Sequence, residues 1–430
     1  MRRTFASLAV GNYRRWFLGG LTSNIGTWMM RTALSWLVLV ELTPGNMSAL
    51  GLVTGLQFVP SLLLSVWAGT LADRFSKRRI MAFTQTMQLL DSLVLGLLVV
   101  SGHAQLWHVF AIALLDGTAT AIDAPARQAF ASELVEPEML GNAISLNSTS
   151  FNGARLVGPG LGGILIAAAG STGPVFLLNA VSFIVLLVML ARMDAGALHR
   201  SPRVPRGKGH LTEGIRYVAS RPDLKLLLAV GFVMGNFGFN FAITNPIMTT
   251  AVFSRGATEL GLVGTLMGLG ALAGALTAAS RRRPRLRYLL AAQAGFSAFS
   301  LASALAPSFW VFALLMIPIG FCAITTLVTA NTLVQSSLDA AVRGRVMALW
   351  ALLIMGGTPI VGPLVGWIGE VAGPRMTVMV GVIGVGAMAV ASTWWVMRSD
   401  HLKVRMAWEG ARPHWVVIRE LDEDVDDPHR

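Results

Sequence analysis

Residues 69–81 read GTLADRFSKRRIM. No Asp, Glu, Lys or Arg lies between Glu41 and Asp73, and then Asp73, Arg74, Lys77, Arg78 and Arg79 arrive together. The contrast between that uncharged run and the cluster ending it sets the fold class. Only 13% of the 430 residues are charged and 54% are hydrophobic, whereas soluble domains carry roughly 25% charged residues. Mean hydropathy is +0.63. Apolar runs recur along the whole chain, and about 20 such residues suffice to cross about 30 Å of hydrocarbon. The composition is that of an all-α, multi-pass membrane protein embedded in a lipid bilayer.

Apolar length, loop breakers and charge clusters predict twelve transmembrane helices. The first six cover approximately 14–40, 47–72, 79–101, 106–130, 139–169 and 173–193. The second six cover 224–252, 258–280, 286–306, 308–335, 343–371 and 375–397. Residues 1–193 then form an N-terminal six-helix bundle, 194–223 a linker, 224–398 a C-terminal six-helix bundle and 399–430 a tail. The linker, rich in Arg, Pro and Gly, is too polar for lipid, and LTEGIRYV within it has the pattern of a short amphipathic helix.

Lys and Arg set the orientation. They gather in the N-terminal arm, the loop at 73–79, the linker, RRRPRLR at 281–287, Arg343, Arg345 and the tail, leaving only Arg255 and Arg375 for the opposite side. The positive-inside rule therefore places both termini in the cytoplasm. Met1–Arg15 is basic and runs into a full span, so no cleavable signal peptide is expected. The net charge of +12 sits in short clusters between apolar spans, which marks membrane orientation and argues against nucleic acid as a partner. Cys322 is the sole cysteine, so neither an intrachain disulfide nor a Cys-based metal site can form.

The halves repeat each other. ALGLV at 49–53 returns as ELGLV at 259–263, LVGPGLG at 156–162 as IVGPLVG at 360–366, and GTLADRFSKRR at 69–79 as GALTAASRRR at 274–283, without the Asp. Such repeats predict two pseudo-symmetric bundles meeting around a central cavity.

With these motifs the chain resembles the major facilitator superfamily. Gly69, Leu71, Ala72, Asp73, Arg74, Lys77 and Arg78 match the signature that this family carries between its second and third helices, with Ser76 where Gly is usual. SNIGTWMMRTALSWLVLVELT at 23–43, DAPARQAF at 123–130, LNSTSFNGARLVGPGLGG at 146–163 and RGRVMALW at 343–350 resemble the branch of enterobactin exporters and macrolide efflux pumps. The resemblance implies a bacterial inner-membrane transporter working by alternating access. It also implies that Gly69, Asp73, Arg74 and Arg78 form a conformational latch. Asp73 would meet the start of the eleventh helix, and Arg74 or Arg78 would pair with Asp123. An acid facing a positive helix N-terminus is stabilised, which gives the latch a physical basis. An orientation anchor is the alternative for the Lys and Arg residues.

Charges at membrane depth are the second signal, since each costs about 2.5–3.5 kcal/mol at a helix centre on insertion scales. The first half holds Arg31, Asp91, Asp116, Asp123 and Arg155 there, and the second half holds no comparable group. Asp116, Thr120, Asp123 and Arg127 share one helical face; so do Ser145, Ser148, Asn152 and Arg155, and likewise Asn24, Trp28, Arg31 and Ser35. Three polar faces need one wet interior. Asp116, tuned by Arg31 or Arg155, is the candidate for proton coupling, with a structural ion pair as the alternative. Asp91 reads as a structural hydrogen-bonding group.

Substrate contact is expected from Asn24, Trp28, Arg31 and Asn152, and in the second half from Asn236, Asn240 and Asn331, although such stripes also serve as interhelix glue. Gly158, Pro159, Gly162 and Gly163 match the superfamily's fifth-helix antiporter motif and predict close helix approach with a bend at Pro159. No nucleotide loop, nucleophile–base pair or cofactor motif is present, so the chain reads as a non-enzyme drawing on an ion gradient or on the substrate's own. The expected activity is proton-coupled export of a siderophore, macrolide or other bulky amphipathic small molecule by a monomer. An uncoupled transporter or lipid flippase, and a membrane sensor signalling through LDEDVDD at 421–427, remain as alternatives.

Overall fold

The computed structural model describes residues 5–199, 210–281, 285–398, 402–409 and 412–419. The acidic run at 421–427 and residues 282–284 of the basic run lie outside them. Six helices build the first half: α1 (Gly11–Trp36), α2 (Met47–Arg74), α3 (Lys77–Val100), α4 (Leu106–Leu134), α5 (Leu140–Ala169) and α6 (Gly173–Ala191). Asn46 caps α2 by accepting a hydrogen bond from the Ala49 amide at 2.8 Å. At the same end of the half, Gly170 with φ 67° terminates α5, a conformation that favours glycine.

The linker holds the predicted short helix, α7 (His210–Ala219). The second half is less regular. Its first rod is α8 (Pro222–Val233), a π-helical stretch at Met234–Gly238, α9 (Phe241–Ile247) and a further π-helical stretch at Met248–Val252. There follow α10 (Ala257–Ser280), α11 (Leu286–Ala304) and α12 (Phe309–Ser336). The next rod breaks at Gly357 into α13 (Ala340–Gly356) and α14 (Thr358–Ala372), and α15 (Met376–Arg398) completes the half.

Nine helices among the described residues are long and apolar enough to cross a bilayer. The rods over Gly11–Trp36, Leu140–Ala169 and Leu286–Ala304 do not meet that standard. For the first two the reason is chemical, because they carry the polar stripes ending in Arg31 and Arg155. Beyond α15 the tail forms an antiparallel hairpin, β1 (Leu402–Glu409) with β2 (Arg412–Arg419), Val404 opposite Val417. This is a departure from an all-helical chain. Its signal was present in the sequence, where Leu402, Val404, Met406 and Trp408 alternate with Lys403, Arg405, Ala407 and Glu409.

The halves meet along two seams, α2 against α14 and α5 against α10. These seams are built from the internal repeats. A Cβ on Gly51, in ALGLV, would stand 2.6 Å from the Gly362 carbonyl in IVGPLVG, and one on Gly261, in ELGLV, 2.6 Å from the Pro159 carbonyl in LVGPGLG. Each repeat of one half thus docks on the complementary repeat of the other, and only glycine allows backbones so near. Both seams sit at the ends of the helices away from the linker.

Candidate functional site

α5 runs unbroken through Pro159 as one helix, Leu140–Ala169, so the bend expected at Gly158–Gly163 is not an interruption. Those residues instead wedge α5 between two neighbours. Gly158 and Gly162 abut Trp28 and Met29 of α1, while Gly163 abuts Ala257 and Gly261 of α10. The interruption falls in the pseudo-symmetric rod, at Gly357.

That wedge brings α1 and α5 together at membrane depth. The Arg31 guanidinium lies 4.8 Å from the Trp28 ring centroid and that of Arg155 lies 5.6 Å from it. Phe151 meets Trp28 edge-on at 5.8 Å, and Asn24 donates to Ser150 at 3.5 Å. Arg31 is exposed to the cleft and Arg155 is half-buried. Among the described residues neither guanidinium makes a hydrogen bond or ion pair to protein, and Arg155 Nε is out of solvent with no acceptor. A cation–π contact contributes about 0.5–2 kcal/mol, whereas leaving a buried donor unpaired costs about 1–3 kcal/mol and more when charged. Trp28 therefore does not by itself offset the position of Arg155.

Asp116 lies within electrostatic reach of Arg31, but its oxygens are engaged elsewhere. Gln88 Nε2 donates to Oδ1 at 3.1 Å and Gln57 Nε2 to Oδ2 at 3.4 Å. Gln57 reaches it because Gly117, next to Asp116, lets α4 lie against the α2 backbone at Gln57. From Asp116 a hydrogen-bonded chain runs toward the linker end. Gln88 Oε1 accepts from Gln85 at 2.9 Å, Gln85 also donates to Asp123 Oδ1 at 3.3 Å, and Asp123 Oδ2 accepts from Arg127 Nε at 2.7 Å. Asp91, one turn beyond Gln88, is 7% exposed and its Oδ2 has no partner. Among the described residues, the structural hydrogen bond expected of Asp91 has no partner group.

The 69–79 loop also differs from expectation in this state. Asp123 is held by Thr84 at 2.8 Å and by Arg127, not by Arg74 or Arg78. Arg78 donates to the Ala191 carbonyl at 2.9 Å, at the end of α6. The acid that the loop engages is Glu133, 2.6 Å from Lys77. Gly69 is half-buried, and Asp73 and Arg74 are exposed. Arg345, at the start of α13, pairs with Glu213 of α7 at 2.6 Å.

In the second half Asn236 and Asn240 are 0% and 7% exposed. Asn236 Nδ2 donates to the Phe232 and Leu353 carbonyls, both at 2.8 Å, and Asn240 Nδ2 to the Asn236 carbonyl at 2.7 Å. The substrate contacts expected from Asn236 and Asn240 are thus replaced by internal ones. Their donors satisfy carbonyls freed by the π-helical stretch and by the break at Gly357, which abuts Asn236. Asn331 accepts from Gln335 at 3.3 Å, and Asn152 donates to Ser148 one turn back at 2.8 Å.

Sequence reading also missed a contact between the halves. Glu370 Oε2, at the end of α14, accepts the Met47 amide at 2.9 Å and the Ser48 amide at 3.4 Å, capping α2 from the other half. Gln57, Phe151 and Glu133 were missed too. Gln57 left a trace, as the one amide side chain within α2.

Residues 2–420 match the family described as transmembrane secretion effector. The chain belongs to that family, within the major facilitator superfamily. Similar curated proteins include the staphyloferrin A transporter of Staphylococcus aureus (strain NCTC 8325 / PS 47), 27% identical over 58% of this chain and 62% of that protein. The multidrug efflux pump Tap of Mycolicibacterium fortuitum is 27% identical over 83% of this chain and 89% of the pump. The enterobactin exporter EntS of Shigella boydii serotype 4 (strain Sb227) is 24% identical over 80% of each chain. Among solved structures, a bacterial homologue of the human lysosomal transporter Spinster, inward-facing and unoccupied, superposes with TM-score 0.63 at 15% identity, covering 90% of this chain and 94% of that one. The nucleoside transporter NupG gives 0.69 at 12% identity over 89% and 99%. At such identities these two likenesses speak for the fold alone.

Proposed function

We propose that the protein is a proton-coupled exporter of bulky amphipathic small molecules, working by alternating access in the inner membrane of a bacterium. Its twelve rods would all cross the bilayer as two six-helix bundles, with the linker end and both termini in the cytoplasm, and a monomer would suffice. Staphyloferrin, enterobactin and multidrug transporters among the relatives support the siderophore or drug class.

The observation that carries the reading is the asymmetry of the contacts between the halves. Their tight glycine-lined approaches lie at one end, while Arg31 is exposed to the cleft at membrane depth. A seam closed at one end and a wet charged cleft behind it describe one state of a rocking pair. In the opposite state the 69–79 loop would close against the eleventh rod, taking Arg345 from Glu213. Asp116 would carry the coupling proton, because Gln88, Gln57 and Arg31 surround its carboxylate, and moving α4 relative to α1 changes that support.

Proteoliposomes with an imposed pH gradient test this. Wild-type protein is expected to accumulate a fluorescent substrate against its gradient only when ΔpH is applied, and Asp116→Asn to retain downhill exchange but lose the ΔpH-driven component. Equal uphill transport by Asp116→Asn would sink the assignment.

A further inference from the structure

Among the described residues, the central cleft concentrates cationic donors that no protein acceptor satisfies. Each guanidinium carries five N–H donors in a planar fork. Arg31 and Arg155 both lean on Trp28, within electrostatic reach of one another. The one acid in reach, Asp116, already takes hydrogen bonds on both oxygens from Gln88 and Gln57. Asp123 is committed to Arg127 at 2.7 Å. The second half adds no charge at this depth. Two like charges that share one indole, one with an unpaired buried Nε, are relieved by a ligand that brings negative charge and planar acceptor geometry. Phe151, 47% exposed beside Trp28, offers an aromatic surface next to that anion position.

We infer that the cleft is built for an organic anion: a carboxylate or comparable acidic group bridges Arg31 and Arg155, and its aromatic or apolar body rests on Phe151. This rests on the transport reading and narrows its substrate class from amphipathic to acidic amphipathic molecules. It also explains why guanidinium groups face the cleft in a half where Asp116 and Asp123 are hydrogen-bonded between helices.

The test is equilibrium binding to purified full-length protein in nanodiscs of neutral lipid, with no gradient present. Fluorescein and rhodamine 123 serve as probes, because they share a xanthene core and differ in the sign of their charge. Wild-type protein is expected to bind fluorescein and to discriminate against rhodamine 123. Arg31→Gln and Arg155→Gln should each weaken fluorescein binding about tenfold or more, the scale of a lost hydrogen bond to a charged group. Arg31→Lys and Arg155→Lys keep the charge and should recover part of the loss, which a merely misfolded site would not. Rhodamine 123 binding as tightly as fluorescein, or unchanged fluorescein binding in both Gln variants, would overturn the inference. Because no gradient is used, a failure of proton coupling would leave a positive result standing. Conversely, a pump that moves both dyes under ΔpH equally well would refute the anion site and leave the transport reading intact.

Discussion

The two halves descend from one pattern and have come to do different physical work. In the first, the charges at membrane depth sit on α1, α3, α4 and α5, helices that stay regular at those positions, and polar side chains reach across to neighbouring helices: Gln57 and Gln88 to Asp116, Thr84 and Gln85 to Asp123. In the second, polar side chains turn back on backbone, Asn236 and Asn240 patching carbonyls around a π-helical stretch and a broken rod. A charge needs a fixed frame, since displaced donors leave it unpaired. A rod that must flex needs side chains able to follow its freed carbonyls. In the proposed alternating-access cycle, separating the two tasks would keep motion from scrambling the charge network.

The largest expected effect comes where the halves are still alike. Gly51 and Gly261 hold equivalent places in the two seams. Gly51→Leu or Gly261→Leu should overpack the closed end by about 1–3 kcal/mol, roughly 5- to 150-fold in population, toward the state open at that end. Distances between labels placed across the seam read this directly. Similar shifts for both variants would show that the seams share the closing work, and a shift for one alone would locate the hinge on the other.

Next in size is Asn236→Ala, which leaves the Leu353 and Phe232 carbonyls without their donor. The expected loss is about 1–3 kcal/mol of stability, read as a lower melting temperature, with fluorescein affinity unchanged. If fluorescein binding fell while stability held, the division of labour between halves would be wrong and Asn236 would belong to the binding cleft.

How much of this was legible follows from what periodicity can and cannot carry. The motif pairs ALGLV/ELGLV and LVGPGLG/IVGPLVG announced two related halves, but that each pair docks on the other is a fact of tertiary packing. Counting residues from each helix end puts Arg31 and Asp116 at one level. At Asn236 and Asn240 the stripe alone does not show that their amides turn to internal carbonyls in this state, since a polar stripe names a face and not the neighbour that it meets. Pro159 read as a bend because proline removes a helical donor, and α5 runs on through it as one helix packed against α1 and α10. The break appears at Gly357, which Gly356 precedes and Pro359 follows closely. Glu370 and Glu133 sit at helix ends, where a lone acid looks like ordinary loop polarity until the chain across from it is known.

Glu370 gives the smallest and sharpest test. It places a carboxylate from the second half on the first amides of α2, where the helix N-terminus carries partial positive charge. This has the same logic as the latch proposed for Asp73 and the eleventh rod, turned to the opposite end of the molecule. Glu370→Gln keeps an acceptor oxygen but removes the charge, so only the charge–dipole part is lost, about 0.3–1 kcal/mol at an exposed helix end. The label distances used for Gly51→Leu should move the same way by a few-fold in population, and the wild-type value should approach the variant's as salt screens the charge. A variant indistinguishable from wild type at low salt would mean that the seams alone hold this end closed, and that the two ends of the transporter are not governed by the same device.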